Sequence, residues 1–381
     1  MAKDKKVRAD FRKNRNTRTR RTDWTQQFEG SDFEQDQIIQ TERISGKGEL
    51  SRRRTVRVAE PRENEDDSAG GFQLEVDRRA CLRGRVLSVH GLISMVQVDG
   101  GRLLRCATRR LLKTLTTDQR HVVAAGDCVL VRPVEHAQSD EGIIERIEPR
   151  HGVLSRTSRG RQQVLVTNVD QVLIVASAAE PRLKPNLIDR LLVSAEQGKI
   201  EPLIAINKID LIDPAELQPL VGLYSQMGYE VLLLSATTGV GIARLARRLA
   251  GRESVVAGQS GVGKSSLLNA VDPTLKLCIA EVSEENQKGR HTTTVARLLP
   301  MQSGGYVVDT PGVRQFQLWD VIPQEVAGYY RDVRPYVSAC RFPDCTHTHE
   351  ADCAVKDAVA DGRLDARRYE SYCGVCSGDM E

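Results

Sequence analysis

Ser254-Val255-Val256-Ala257-Gly258-Gln259-Ser260-Gly261-Val262-Gly263-Lys264-Ser265-Ser266 sets a short apolar run against a glycine-rich turn and then opens a helical pattern, Lys264 to Ala270. An apolar strand that ends in Gly-x4-Gly-Lys-Ser and continues as a helix is the context that makes the pattern a phosphate loop. Gly261 and Gly263 permit backbone conformations that turn successive N–H groups inward onto phosphate oxygens. The helix N-terminus adds favourable partial charge. In this reading Gly258, Gln259, Ser260, Gly261, Val262, Gly263 and Ser266 belong to the cradle. Lys264 bridges β- and γ-phosphates, and the Ser265 hydroxyl ligates Mg²⁺.

Upstream of the loop stands Asn207-Lys208-Ile209-Asp210, at the C-terminal end of the apolar run Pro202–Ile206. Open α/β sheets bind ligands at that end of their strands. The Asp210 carboxylate is placed to accept hydrogen bonds from guanine N1–H and N2–H₂. Adenine has no donors there and would leave the carboxylate unpaired. Lys208 lies under the base plane in this reading, and the backbone N–H of Ala236, from Ser235-Ala236, meets guanine O6. The nucleotide is therefore GTP rather than ATP.

Downstream, Asp309-Thr310-Pro311-Gly312 ends the run Tyr306–Val308. Asp309 is expected to hold Mg²⁺, through water, and the Gly312 N–H to meet the γ-phosphate. Gly289-Arg290-His291-Thr292-Thr293-Thr294 lies between, as a first switch, with Thr293 the candidate for closing over Mg²⁺. The sequence does not separate the three threonines. Val313 occupies the place of the glutamine that orients water in Ras-like enzymes. An imidazole can orient or deprotonate water at neutral pH, which makes His291 the candidate replacement. A solvated loop residue or an RNA contact is an equal reading of His291.

The order of these motifs is itself informative. An ordinary G domain runs phosphate loop, switch threonine, DxxG, NKxD, SA. Here the base-reading half comes first, which marks a circular permutation, and the chain leaving the second switch enters a further segment.

The 381 residues suit two or three domains. No apolar run approaches the length of a membrane span, and the start lacks the apolar core of a secretory signal. The expectation is a cytoplasmic protein with no membrane partner. The formal net charge is +4, but residues 1–21 hold ten Lys or Arg against two Asp. A basic arm of this kind is either a solvated, disordered tail or a contact to nucleic-acid phosphates.

Five of the nine cysteines crowd between positions 340 and 376. Cys340-x4-Cys345-x-His347-x5-Cys353 offers three thiolates and an imidazole, a complete tetrahedral set for one structural Zn²⁺. His349 is an alternative to His347. Cys373-x2-Cys376 is a further ligand pair that can replace two of the four, form a second site or stay as thiols.

Between Arg83 and Glu148 five short alternating runs suit a closed barrel of OB type. Its basic residues Arg83, Arg85, Arg102, Arg105, Arg109 and Arg110 suggest contact with structured RNA backbone, since aromatics for base stacking are nearly absent. From Gln163 onward strands at 164–166, 171–176, 202–206, 230–234, 254–257 and 306–308 alternate with helices at 186–198, 242–250 and 264–270. The expected fold class is α/β: a circularly permuted P-loop G domain with a mainly parallel sheet, between an N-terminal OB-type barrel and a C-terminal helical zinc-binding module. The expected division is 1–71 basic, disordered extension, 72–152 barrel, 153–318 G domain and 319–381 zinc module.

With Asn207–Asp210, Gly258–Ser266, Gly289–Thr294, Asp309–Gly312 and the Cys340/Cys345/His347/Cys353 quartet, the chain resembles the RsgA (YjeQ) family of ribosome small-subunit-dependent GTPases over residues 80–373. The resemblance implies GTP hydrolysis stimulated by the small ribosomal subunit, rRNA as partner, and late action in subunit assembly with release on hydrolysis. A GTP-gated rRNA-binding checkpoint with secondary hydrolysis is the alternative, and a metal-delivery GTPase a more distant one. No feature suggests an obligate oligomer, so a monomer is expected.

Overall fold

The computed structural model describes residues 5–10, 53–58, 77, 79–109, 112, 122–134, 140–158, 161–277, 296–309 and 323–378. Strands β1 (Lys5–Asp10) and β2 (Arg53–Val58) pair antiparallel, from Lys5 opposite Val58 to Asp10 opposite Arg53. The rest of the N-terminal extension lies outside the described residues.

Strands β3 (Leu82–His90), β4 (Ile93–Val98), β5 (Leu103–Thr108), β6 (Cys128–Pro133) and β7 (Glu141–Ile147) close into a barrel in the order β3-β4-β5-β7-β6. Period-two alternation explains the closure: Val86, Val96, Leu104, Val129, Val131 and Ile144 point inward with no residual exposure. The β5–β7 pair is parallel and the other pairs are antiparallel.

Beyond the barrel, β8 (Leu154–Ser158) and β9 (Arg161–Val166) form a separate antiparallel hairpin. The run Val164–Val166 therefore belongs to this hairpin, not to the main sheet. The main sheet contains β10 (Gln171–Ser177), β11 (Glu201–Asn207), β12 (Glu230–Leu233), β13 (Glu253–Ala257), β14 (Arg297–Pro300) and β15 (Tyr306–Asp309), in the order β12-β11-β10-β13-β15-β14. All neighbours are parallel except the edge pair β14–β15. All seven residues of β10 are buried, as a central strand covered on both faces must be.

Helices α1 (Pro185–Gln197) and α2 (Gln218–Gln226) cover one face, where Ile188, Leu191 and Tyr224 pack on Ile174 and Ile204. Helices α3 (Ile242–Leu249) and α4 (Lys264–Val271) cover the other, where Leu245 and Leu267 join Leu173, Val175 and Leu203. Each fully buried side chain of this size stabilises the fold by about 1.5–3 kcal/mol. The barrel docks through Leu87 onto the first of these cores, through an Arg85–Glu253 ion pair, and through the Tyr306 hydroxyl, which donates to Gln97 Oε1 over 2.8 Å.

The C-terminal module holds α5 (Val326–Tyr329), α6 (Arg334–Val337), α7 (Ala354–Ala360) and α8 (Ala366–Ser377). Its small core of Val326, Tyr330, Val333, Val355, Ala358, Leu364 and Tyr372 also takes in Val193 of α1. Among the described residues no helix is long and apolar enough to cross a membrane.

Candidate nucleotide and metal sites

The parallel strands β10, β11, β13 and β15 present their C-terminal ends along one edge of the sheet, with Ser177 opposite Asn207. The motifs separated in sequence meet there. Asn207 stands on the last residue of β11, buried, and its Nδ2 donates to the Val262 carbonyl over 2.9 Å. Its Oδ1 accepts from the Ala236 N–H at 3.3 Å. One amide side chain therefore ties together the phosphate loop, the Asn207–Asp210 segment and the Ser235-Ala236 turn.

Asp210 is exposed, and its Oδ1 accepts from the Ser235 hydroxyl at 2.6 Å. That hydroxyl bond is the main reason the Asp210 carboxyl lies below its ordinary value, so the group is an anion at neutral pH. Ser235 is itself held by Thr237, Oγ to Oγ1 at 2.9 Å, and accepts from the Thr238 N–H at 3.1 Å. Ile209 is buried beneath the turn and anchors it. Lys208 adopts the left-handed region, φ 64°, and its Nζ donates to the Glu180 carbonyl at 2.5 Å. The loop after β10 thus restrains the lysine stem, a role for Glu180 that its sequence context does not signal.

In the phosphate loop Gly258, Gly261 and Gly263 have φ of 143°, 80° and 90°. A Cβ at Gly263 would lie 2.4 Å from Asn207 Nδ2, so glycine there serves both the backbone turn and the approach of the asparagine. Lys264 Nζ donates to the carbonyls of Gly258 and Gln259 at 2.9 and 2.6 Å, which aims the ammonium across the loop mouth. Ser265 and Ser266 follow in the first turn of α4, where unpaired N–H groups and the helix dipole favour an anion. Gln259, Ser260, Gly261 and Val262 complete the loop between β13 and α4. Asp309 closes β15, beside β13 in the sheet. Its neighbours Thr310–Val313, and His291 and Thr293 of the first switch, lie outside the described residues.

The second site is in the C-terminal module. Among the described residues, Cys340, Cys345, His347 and Cys353 bring their ligand atoms within 4.8 Å of one another. Cys340 Sγ is 3.8 Å from Cys353 Sγ, and His347 Nδ1 is 3.3 and 3.5 Å from those two sulfurs. A tetrahedral zinc with ordinary bond lengths has edges of about 3.8 Å between sulfurs and about 3.5 Å between sulfur and nitrogen. The donor set therefore fits such an ion, and four ligands leave no open coordination position.

Burial pushes the Cys345 thiol up to about 12 and lowers His347. The neutral imidazole is ready to ligate, whereas a thiolate in this setting needs a nearby cation. His347 is buried and His349 is exposed, which favours His347 as the fourth ligand. Glu350 shapes the ligand loop by accepting from Thr346 N, Thr346 Oγ1, Thr348 N and His349 N at 2.7, 2.6, 3.1 and 3.2 Å. Although burial opposes it, these bonds hold the Glu350 carboxyl well below the carboxylate range. Cys373 and Cys376 lie on α8, outside the quartet.

The barrel arginines divide. Arg83 and Arg105 are exposed, whereas Arg102 bonds Asp140 and Arg109 pairs with the buried Glu145. Arg85 turns inward to Glu253, the Gly126 carbonyl and Cys128 Sγ, so its part is joining barrel to sheet rather than meeting RNA. Arg110 lies outside the described residues.

Comparison with known proteins places this architecture. The sequence model of the family described as RsgA GTPase matches residues 147–319. The "Small ribosomal subunit biogenesis GTPase RsgA" of Sodalis glossinidius (strain morsitans) is 40% identical over 295 residues, covering 76% of this chain and 83% of the relative. The "Small ribosomal subunit biogenesis GTPase RsgA 1" of Vibrio vulnificus (strain YJ016) is 40% identical over 297 residues, covering 76% and 82%. Among solved structures, YjeQ from Thermotoga maritima superposes with a TM-score of 0.64 at 36% identity, covering 78% of this chain and 98% of its own. YloQ, described as a circularly permuted GTPase, gives 0.61 at 29% identity, covering 80% and 96%.

Proposed function

The chain belongs to the RsgA GTPase family of GTP hydrolases, and we propose that it binds the small ribosomal subunit late in that particle's maturation and leaves on hydrolysis. The observation that carries the nucleotide part is the junction at Asn207, whose side chain bonds both the phosphate loop and the Ser235-Ala236 turn. In this reading the Asn207 side chain links the base-recognition and phosphate-binding segments, so guanine and triphosphate are read together. Lys264 and Ser265 hold the phosphates and Mg²⁺ in this reading, with Asp309, Thr293 and Gly312 completing the switch shell. When bound, Mg²⁺ supplies neutralisation of the charge that develops on the transferred phosphoryl group. Asp210 reads guanine, and His291 orients the attacking water in place of the glutamine that Val313 replaces.

Exposed Arg83 and Arg105 on the barrel support rRNA contact through phosphates. The quartet holds a structural zinc, since a closed four-ligand site opposes metal delivery. The protein acts as a cytoplasmic monomer in this reading. Measuring single-turnover GTP hydrolysis with and without purified small subunits tests it. Strong stimulation is expected, and an unchanged rate refutes the subunit as partner. His291→Ala should abolish the stimulated rate while leaving GTP affinity intact. Retention of the full stimulated rate would remove the catalytic role.

A further inference from the structure

Cys373 and Cys376 lie three residues apart in the last turn of α8, each half-buried and neither in a disulfide. The Cys340/Cys345/His347/Cys353 quartet is complete without them. The tyrosines one turn before each cysteine link this pair to the ligand loop. The Tyr369 hydroxyl donates to the His347 carbonyl at 2.8 Å, and the Tyr372 hydroxyl to the Thr346 carbonyl at 2.8 Å. Each tyrosine stands on the same helix face as the cysteine four residues on, Tyr369 with Cys373 and Tyr372 with Cys376. Two parallel relays therefore run from a dithiol to the backbone of the loop that carries the buried imidazole ligand.

We propose that Cys373 and Cys376 form a thiol–disulfide exchange site for low-molecular-weight disulfides, and that closing it loosens the metal-ligand loop. Helix geometry puts their Cα atoms about 5 Å apart, inside the window of about 4.4–6.8 Å that a disulfide accepts. Their Cβ atoms, at about 5–6 Å on a helix, must close to about 3.5–4.5 Å. The last turn of α8 has to deform for this. Gly374 lies between the cysteines and Gly378, φ 73°, caps the turn, so the backbone there is permissive.

The exchange balances as follows. Cys373 loses its proton to water, and its thiolate attacks one sulfur of a disulfide such as oxidised glutathione, expelling one glutathione thiolate. Cys376, deprotonated in turn, attacks Cys373 Sγ of the mixed disulfide and expels the second. Two protein thiols are oxidised to one disulfide, and one small disulfide is reduced to two thiols. Deforming that turn draws Tyr369 and Tyr372 away from the His347 and Thr346 carbonyls, so the loop gives up the ion more readily.

The second half of the proposal rests on the zinc reading of the quartet; the exchange chemistry does not. The test uses the full chain, its zinc content measured first, incubated with oxidised glutathione. The tryptic peptide that begins at Tyr369 contains both cysteines, and it should carry an internal disulfide. Zinc transfer to a chromophoric chelator should then quicken about thirtyfold, the effect of losing two ordinary hydrogen bonds. Cys376→Ser should trap a glutathione adduct on Cys373, and Cys373→Ser should keep the slow rate of zinc transfer.

Recovery of that peptide with both thiols intact, or a Cys376→Ser chain without adduct, overturns the exchange site. A closed disulfide with unchanged zinc transfer overturns the link to the loop. A chain lacking zinc before oxidation refutes the zinc reading and that link together, while the peptide disulfide alone decides the exchange.

Discussion

Asp210 and Ser235 show how a single hydroxyl can set the charge range of a carboxylate, here the one proposed to read the base. Since Ser235 holds the Asp210 carboxyl below its ordinary value, the anion proposed to pair with guanine persists as pH falls and is lost only through that lowered value. Ser235→Ala should move the loss of GTP affinity to a higher pH, read by titrating a fluorescent guanine nucleotide across the acid range. An unchanged midpoint would separate Ser235 from the carboxylate. Asp210→Asn replaces an acceptor by a donor facing guanine N1–H. It should cost about 3 kcal/mol or more, a hundredfold in Kd, by the same titration. The Asn207–Asp210 segment was legible as a motif at the end of an apolar strand, with Asp210 the residue whose acceptors match the donors of guanine. The Asn207 amide on Val262 and the Glu180 carbonyl under Lys208 were not, because backbone partners leave no residue signature.

Secondary-structure elements were legible where their hydrophobic period was long or their turn chemistry distinctive. The barrel strands and α4 follow directly from alternation and from the glycine-rich loop. Helix α2 escaped because Pro219 and Gly222 break its pattern, and edge strand β14 because four residues ending in Pro300 carry too little periodicity. The run at 164–166 illustrates another limit: an apolar triplet says strand but not which partner. At this scale the phosphate loop is tightly constrained at its glycines. Gly263→Ala would place a methyl against Asn207 Nδ2 and strain a residue at φ 90°, costing about 1–3 kcal/mol before the Asn207–Val262 bond is counted. Nucleotide Kd should rise at least as much as stability falls, measured by titration and thermal melting. A variant that melts like the parent and binds normally would refute this use of glycine. In the ligand loop, Cys345→Ser should abolish zinc content, whereas the Cys373→Ser/Cys376→Ser double variant should keep one zinc per chain in elemental analysis of the purified protein. Loss of zinc in the double variant would move the pair into the metal site.

Across the whole molecule, two additions grip one sheet from different sides. The barrel meets Glu253 and Tyr306, which begin the strands that end in the phosphate loop and in Asp309. The C-terminal module meets α1 through a buried charge network. Asp189, with no exposed surface, accepts from the Tyr224 hydroxyl at 2.7 Å and pairs with Arg368 at 2.7 Å and Arg367 at 3.2 Å. Arg368 also clamps Asp332 with two bonds of 2.8 and 2.9 Å, and Arg331 joins Glu196 while lying 4.2 Å over the Tyr229 ring. Motif order in the sequence announced that something follows the second switch. It could not announce this docking, because Asp189 and Arg368 are far apart in the chain and unremarkable alone. Buried ion pairs contribute little net stability when complete and cost much when halved, since the survivor keeps its desolvation penalty. Arg368→Met should therefore destabilise the protein by about 3–5 kcal/mol, leaving Asp189 and Asp332 without their main counter-charge. Adding Asp189→Asn to that variant should recover part of the loss, because it removes one orphaned charge. Urea unfolding of the four chains of this cycle measures the coupling directly. Strict additivity would mean that Asp189 and Arg368 do not act as a pair, and that the module is held on α1 by the Val193 contact and Arg331 instead.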